Sequence, residues 1–201
     1  MKLAILDYGS GNIFSLKTSF ERCGIIIDVI TSLDEINNHS GLLLPGVGSF
    51  DPAMININKC SSNSLELITH GKIPILGICL GMEIFFESSQ EGSQMGLGVM
   101  NGKVILLPKE GKIPHMGWNN LIIKKSGRLL EGVENNSYVY FTHSYTAHAD
   151  DSSQIMAVAN YNNEIPAVVE KDNFFGTQFH PEKSSKNGMQ MIENFIKVCK
   201  Q

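Results

Sequence analysis

The chain has 201 residues, of which 42% are hydrophobic and 18% charged, and its formal net charge is -4. This length favours one domain with a sizeable core. Charges of both signs are spread along the chain without a basic cluster, which argues against a nucleic acid as partner. No apolar run reaches the length of a membrane span or resembles a signal peptide, so we expect a cytoplasmic protein without a membrane partner.

The first part of the chain alternates strand-like and helix-like segments. A helix is expected from about Asn12, with Ile13, Leu16 and Phe20 at helical spacing and Gly24 as its stop. Alternation of this kind predicts a parallel sheet with crossover helices. The strand-like runs are LAILDY (3–8), IIIDVIT (25–31), GLLLPG (41–46) and IPILGIC (73–79).

After Glu91 the pattern changes to closely spaced strand-like runs separated by turn residues, and a last helix is expected from about Lys186. The runs are KVILLP, NLIIKK, YVYFTHSY, IMAVANY, IPAVVEK and FFGTQF. We therefore expect a single α/β domain over residues 1–201. Its mixed, mostly parallel sheet is flanked by helices and has an antiparallel portion in the second half.

Cys79 lies between two glycines in GICLG, directly after a strand-like run. This matches the G-x-nucleophile-x-G turn, which displays its central side chain above the sheet. A helix after the turn would favour the thiolate. A small buried cysteine at a tight turn is an equally good explanation of this motif alone.

A candidate base lies in GTQFHPEKS, where His180 and Glu182 are two residues apart. In an extended segment these side chains point the same way, so Glu182 would hold one imidazole nitrogen while the other faces Cys79. A histidine before proline can also simply cap a turn. The run LLLPGVGSF ends a strand in a glycine loop that can aim N–H groups at an oxyanion, although an ordinary turn explains it too.

Metal chemistry has no support in the sequence. No H-E-x-x-H and no C-x-x-C occurs, and the four cysteines form no short-spaced pair, so we interpret them as free thiols. We expect neither a metal nor an organic cofactor.

Taken in order, PGVGSF, GICLGM, PHMGWN, FTHSY and QFHPEKS resemble the motifs of class I, triad-type, glutamine amidotransferases. The resemblance covers essentially the whole chain. Within the family it is greatest to the glutaminase subunits of imidazole glycerol phosphate synthases, from histidine biosynthesis. It implies a mixed α/β sheet.

The resemblance implies that Cys79 attacks the side-chain amide of L-glutamine, with His180 transferring protons and Glu182 orienting it. The resulting thioester is hydrolysed by water. It further implies that the oxyanion is held by the N–H of Leu80 and by one from the loop of Val47 and Gly48. The glutamine-binding residues would be Glu83, Glu87, His143, Ser144 and Tyr145.

The resemblance also implies a partner, a (β/α)₈-barrel synthase subunit that forms a heterodimer with this chain. Ammonia would pass to the barrel, which makes imidazole glycerol phosphate and an aminoimidazole carboxamide ribonucleotide. Trp118 is a plausible core residue as well as an interface residue. The residues implied at the interface are Asn12, Met116, Trp118, Tyr140 and Lys183.

One position departs from the family pattern, in which glutamine usually follows GICLGM. Here it is Glu83, which can accept a hydrogen bond from an ammonium but cannot donate one to a carboxylate, and which puts negative charge near Cys79. Glu87, four residues on, would share its helix face or be a solvated residue.

Three other functions stay open from the sequence. The glutaminase could serve a sugar amidotransferase, since the triad does not distinguish the recipient of ammonia. Glu83 could mark a non-catalytic interaction protein, although the three matched catalytic groups argue against it. A cysteine hydrolase of peptides or small amides would fit the turn but not PHMGWN or Lys183.

Overall fold

The protein is described here by a computed structural model covering residues 1–9, 12–109 and 111–201. In this part of the chain the helices are α1 (Ile13–Glu21), α2 (Phe50–Ile57), α3 (Ser62–Thr69), α4 (Leu80–Glu83) and α5 (Ser185–Val198). The strands are β1 (Lys2–Leu6), β2 (Ile26–Ile30), β3 (Leu42–Leu44), β4 (Ile75–Ile78), β5 (Ser88–Ser89), β6 (Gly102–Leu106), β7 (His115–Asn120), β8 (Ile122–Ile123), β9 (Tyr138–His143), β10 (Tyr145–Ala149), β11 (Ile155–Tyr161), β12 (Asn163–Lys171) and β13 (Phe174–Thr177).

The central element is a mixed sheet that, within the described residues, has eight strands in the order β2-β1-β3-β4-β13-β12-β11-β8. The strands from β2 to β13 pair in parallel, and those from β13 to β8 pair antiparallel. The predicted fold class, a mostly parallel sheet with an antiparallel portion in the second half, is therefore confirmed.

Each face of the sheet carries its own hydrophobic core, because alternate strand residues point to opposite faces. Leu3 and Ile5 of β1 belong to one core, which α1 and α5 cover with residues such as Phe20 and Phe195. Ala4 and Leu6 belong to the other core, which α2 and α3 cover. These helices pack on the two faces of the sheet. A site can therefore form at the carboxyl ends of the parallel strands.

Two smaller sheets, β10-β6-β5 and β7-β9, accompany the central one. The antiparallel β7–β9 pair is tied to the end of β13 through backbone atoms, since the N–H of His180 donates to the carbonyl of Tyr140 (3.0 Å). None of the helices in the described ranges is long and apolar enough to cross a membrane.

Local signals explain the helix ends. Asn12 caps α1 by accepting the Ser15 N–H, and the chain leaves this helix through Gly24 at φ 76°. The polar run from Ser61 to Ser64 begins α3, with Ser61 as the cap and the Asp34 carboxylate accepting from the hydroxyls of Ser61 and Ser64.

The helix expected after GICLG is a single turn, α4, and ends at Glu83. Ile84, Phe85 and Phe86 are fully buried. The N–H groups of Leu97 and Met100 donate to the carbonyls of Ile84 (2.8 Å) and Phe85 (3.0 Å). Because hydrogen bonds from a distant segment use these carbonyls, the apolar run does not continue as a helix.

Candidate active site

Cys79 stands on a sharp turn between β4 and α4. Its backbone has φ 55° and ψ -111°, a conformation that is strained for any residue with a side chain and that marks functional sites. Both flanking glycines are needed for packing. A Cβ at Gly77 would overlap the carbonyl of Gly81, and a Cβ at Gly81 would overlap the carbonyl of Leu44. The motif thus forms the turn that displays a nucleophile.

His180 and Glu182 form a buried pair, in which Nδ1 of His180 lies 3.0 Å from Oε1 of Glu182. The sequence predicted an extended segment here, but the structure differs. The segment folds into a 3₁₀ turn over Pro181–Lys183, and the turn brings the two side chains together. Ser184 fixes the turn, since its hydroxyl donates to the His180 carbonyl (2.6 Å) and accepts from the Tyr140 N–H (3.0 Å).

The hydrogen-bond pattern determines the tautomer of His180. A carboxylate only accepts, so Nδ1 carries the proton and Nε2 has a free lone pair. Among the described residues, none makes a hydrogen bond with this buried Nε2 atom. An imidazole in this state is a base that can accept one proton.

Adjacent parallel strands bring the cysteine and the histidine segments to the same edge of the sheet. Ile78 of β4 pairs with Thr177 of β13, and the Cys79 N–H donates to the Thr177 carbonyl (2.7 Å). Gln178 lies between these groups, with Nε2 at 3.9 Å from Sγ of Cys79. Cys79 and the His180–Glu182 pair are therefore placed at the ends of neighbouring strands.

The thiol of Cys79 is not activated as the sequence suggested. Burial raises its pKa far above the ordinary value, and the charge of Glu83 raises it further, while the N–H of Leu80 acts in the opposite direction. The sulfur therefore carries a proton and lies 3.7 Å from the Thr142 carbonyl. A one-turn helix has too few aligned peptides to offset the loss of solvation.

A cavity of about 310 Å³ opens over the sulfur. Its size suits a small ligand. A larger cavity, of about 490 Å³, lies around Arg128 and Lys197, but no cysteine or histidine lines it. The residues that line the smaller cavity are Val47, Gly48, Cys79, Leu80, Glu83, Glu91, Pro114, Thr142, His143, Ser144 and Tyr145.

Eight of the site residues predicted from the sequence line this cavity. Seven come from PGVGSF, GICLG and FTHSY, and the eighth is Glu83. Glu83 is 4% exposed, and its Oε1 accepts from Nε2 of Gln178 (2.9 Å). Burial raises the pKa of Glu83 to about 7, with a smaller contribution from Glu91. Gln178, which the sequence reasoning missed although it stands two residues before His180, thus bridges Glu83 and Cys79.

The structure does not bring Glu87 to the cavity and agrees with the alternative of a solvated residue. Glu87 is exposed, does not line the cavity, and accepts the Gly102 N–H (3.1 Å). The expected four-residue spacing from Glu83 requires a continuous helix, and α4 ends before that spacing is completed. The second acid at the cavity is instead Glu91, which no sequence signal distinguished from other loop acids. Its Oε2 accepts the Phe50 N–H (2.8 Å).

Two uncharged histidines, joined by a hydrogen bond, support the wall of the cavity at His143. Nδ1 of His143 donates to the Tyr145 carbonyl (2.6 Å), so Nε2 accepts from Nδ1 of His115 (3.0 Å). His115 is stacked on Phe141 and Tyr161. Burial lowers the pKa of His115 to about 4 and that of His143 to about 3, so both are neutral near pH 7.

Of the residues expected at an interface, Met116 and Trp118 are 64% and 53% exposed, and Lys183 is exposed too. Trp118 is not in the core. Its ring meets that of Tyr140 edge-on at 5.9 Å. Tyr140 and Asn12 are partly buried.

Comparison with known proteins identifies the family. The family model described as "Glutamine amidotransferase class-I" matches residues 4–199. The imidazole glycerol phosphate synthase subunit HisH of Caldanaerobacter subterraneus subsp. tengcongensis is 43% identical, with 98% of each chain covered. The subunit of the same name from Methanocaldococcus jannaschii is 42% identical, with 98% of this chain and 99% of that one covered.

The chain belongs to the class-I glutamine amidotransferase family. Among solved structures, it is similar to one described as glutamine amidotransferase, with a TM-score of 0.75 and 16% identity over 99% of each chain. It is also similar to PurLQS from Thermotoga maritima, with a TM-score of 0.72 and 17% identity over 98% of this chain and 97% of that one. These two show that the chain shares their fold.

Proposed function

We propose that this chain, as one domain over residues 1–201, is the glutaminase subunit of an imidazole glycerol phosphate synthase in histidine biosynthesis. One observation carries the proposal. Cys79 lines a small cavity from a left-handed turn, and the His180–Glu182 pair lies at the end of the adjacent strand. The names of the relatives support the pathway.

The first half of the reaction forms a thioester. Nε2 of His180 takes the thiol proton as Sγ of Cys79 attacks the side-chain amide carbon of glutamine. Because burial raises the pKa of the thiol, transfer of the proton and attack on carbon proceed together. Glu182 stabilises the imidazolium through Nδ1.

The negative oxygen that develops needs N–H donors. Leu80 supplies one at the start of α4, and the loop of Val47 and Gly48 supplies the second from the cavity wall. His180 then gives its proton to the departing nitrogen, and ammonia leaves. Water attacks the thioester with His180 as base, which releases glutamate and restores the thiol.

Recognition of the substrate follows from the charges of the cavity wall. Glu83 and Glu91 are acids within it and favour the α-ammonium group of glutamine. Ser144 offers a hydroxyl donor for the α-carboxylate from the opposite segment, with His143 and Tyr145 beside it. Glu83 is shared with Gln178, so Glu91 is the better ligand for the ammonium.

The outward face of β7 and β9 is proposed as the docking surface for the synthase subunit, a (β/α)₈ barrel. Met116, Trp118 and Tyr138 are large hydrophobic residues with more than half of their surface exposed. Met116 pairs with Thr142, which lines the cavity, so the surface extends to the site. Aromatic anchors and methionine are enriched in such interfaces.

A synthase subunit bound to the outward face of β7 and β9 would receive ammonia directly from the cavity. In water near neutral pH ammonia is protonated and diffuses away, whereas a covered cavity retains it as a nucleophile. The exposed Lys183 and the capping residue Asn12 complete the proposed contact region. We place the complex in the cytoplasm, where its four free thiols stay reduced.

The test is to purify the chain with the barrel subunit from the same genome and to measure glutamate formation with and without the nucleotide substrate of the barrel. We expect the partner and its substrate to stimulate glutamine hydrolysis. Cys79→Ser should abolish glutamine-dependent synthesis and leave synthesis from added ammonium salt intact. Glutamate formation that survives Cys79→Ser, or cleavage of peptides without glutamine, would refute the proposal.

A further inference from the structure

Two segments of the chain hold each other through an exchange of carboxylates. Oε2 of Glu91 accepts the N–H of Phe50 (2.8 Å). In the opposite direction, Oδ1 of Asp51 accepts the N–H groups of Ser93 and Gln94 (both 2.9 Å), and Oδ2 accepts the Ser93 hydroxyl (3.1 Å). Each segment thus satisfies backbone donors of the other. We call this arrangement the carboxylate clamp.

The clamp replaces a missing helix cap. Phe50 is the first residue of α2, and the side chain of Ser49 before it makes no capping hydrogen bond. The first N–H groups of a helix have no partner inside it, and a carboxylate there is favourable. The two segments approach so closely that a Cβ at Gly92 would overlap the Asp51 carboxylate.

The same Glu91 lines the catalytic cavity, as do Val47 and Gly48. Gly48 precedes Phe50 by two residues, so the N–H that Glu91 holds lies at the start of α2, directly after the loop that would bind the oxyanion. Glu83, the other acid of the cavity, bonds Gln178 and has no such link to the loop. Glu91 is therefore in contact with both the substrate space and the start of α2.

We propose that Glu91 is a positioning residue that couples binding of the substrate ammonium to the placement of the oxyanion loop. This inference rests on the proposed glutaminase function. One carboxylate oxygen holds the Phe50 N–H while the side chain faces the ammonium. The Glu91 carboxylate is thus a common contact of the bound substrate and of the segment that holds the oxyanion loop in place. Asp51 anchors the loop without contributing to the cavity lining.

The test separates the two roles of Glu91 by substitution in the assembled complex. In Glu91→Gln the amide oxygen still accepts the Phe50 N–H, so we expect KM for glutamine to rise about 10- to 100-fold with kcat within about threefold of the wild type. Glu91→Ala loses both contacts, so its KM should rise equally and its kcat should fall about 10-fold or more.

Asp51→Ala isolates the loop. We expect a fall in kcat of about 10-fold with KM within about threefold, because only the anchor is lost. Glu87→Gln is the matched control, since Glu87 is exposed and outside the cavity, and it should change neither constant. Circular dichroism and thermal unfolding establish that each variant is folded, and Asp51→Asn, which retains an acceptor, should recover part of the lost kcat.

A second substrate makes the assignment sharper. 4-Carbamoylbutanoate is glutamine without the α-amino group, so wild type and Glu91→Gln should have the same KM for it. Glu91→Ala should still show its lower kcat. Equal kcat values for Glu91→Gln and Glu91→Ala, or a wild-type kcat in Asp51→Ala, would overturn this inference but not the proposed function. A wild-type complex that does not hydrolyse glutamine would overturn the proposed function and this inference together.

Discussion

The two faces of the β7–β9 strand pair have opposite properties although they share one backbone. His115, Phe141 and His143 point inward and are buried, and His143, which accepts from His115, lines the cavity. Met116 and Trp118 alternate with the inward residues of β7 and are exposed. Strand alternation thus lets one strand pair support the cavity with its buried side chains and present a contact surface on the other face. The buried face supports the cavity wall at His143, and the exposed face, which reaches the cavity at Thr142, is the proposed contact surface.

The buried side is tested with the largest expected effect by His180→Gln, because the His180 N–H donates to the Tyr140 carbonyl of β9 and the side chain is the proposed base. Loss of the base should lower kcat for glutamine by about 10²- to 10⁴-fold, with or without the partner. Steady-state glutamate release measures it. His148→Gln, at an exposed histidine of β10, is the control and should act as wild type. A loss that appears only with the partner present would assign His180 to association instead.

The exposed face is tested next by Trp118→Ala. Removal of a central aromatic anchor should weaken binding of the barrel subunit by about 30-fold or more, while glutamine hydrolysis by the free chain and its unfolding temperature stay the same. Isothermal titration calorimetry gives the affinity. Ile26→Ala is the matched control, because Ile26 is 55% exposed on β2, the outermost strand. Equal affinities of both variants would move the interface elsewhere.

Glu83→Gln tests how the charge of a buried carboxyl group at the cavity changes the stability of the protein with pH. The pKa of Glu83 is about 7 in the folded protein, against 4.5 as the ordinary value, so the folded chain retains a proton that the unfolded chain releases. Wild type should therefore lose stability as pH rises from about 4.5 to 7. At pH 8 the variant should be more stable by up to about 3 kcal/mol, and near pH 4.5 the two should converge.

Urea unfolding at pH 5 and pH 8 measures this difference, with the exposed Glu87→Gln as control. The variant should also react faster with iodoacetamide at Cys79 at pH 8, because the charge that raises the pKa of the thiol is gone. Its glutamine turnover should equal or exceed that of wild type. A complete loss of turnover would show that the carboxyl group of Glu83 has a role of its own.

The smallest expected effect concerns the inward histidines. His115→Phe keeps an aromatic ring in the stack but removes the donor to His143, which should cost about 1–3 kcal/mol of stability at pH 7.5. The pKa of buried His115 is lowered to about 4, so wild type loses stability as pH falls below about 6.5. The variant lacks one such group, and its deficit should shrink at pH 5. A deficit that is the same at both pH values would contradict this account.

The sequence predicted the strand runs and the helices α1 and α5 because hydrophobic periodicity and end signals agree there. Asn12 caps α1, and Gly24 follows it at positive φ. The motifs predicted that Cys79 and His180 act together, and the structure places them at the ends of the parallel neighbours β4 and β13. These features depend on local sequence and on the rules of strand pairing.

Features that depend on distant contacts could not be read in this way. The helix after Cys79 stops because Leu97 and Met100 bond the next carbonyls, and this stop excludes Glu87 from the cavity. The place of Glu91 depends on its bond to Phe50, 41 residues away. The protonated state of Cys79 depends on burial, which no motif encodes.

The exposed Trp118 gives the molecule an internal optical reporter, because it is the only tryptophan among 201 residues and is 53% exposed. An indole in contact with water emits at longer wavelength than one enclosed by protein. If a second subunit covers this ring, the emission of the unlabelled chain should shift to the blue in proportion to the fraction bound. Assembly can then be followed in real time in the same cuvette as the chemistry.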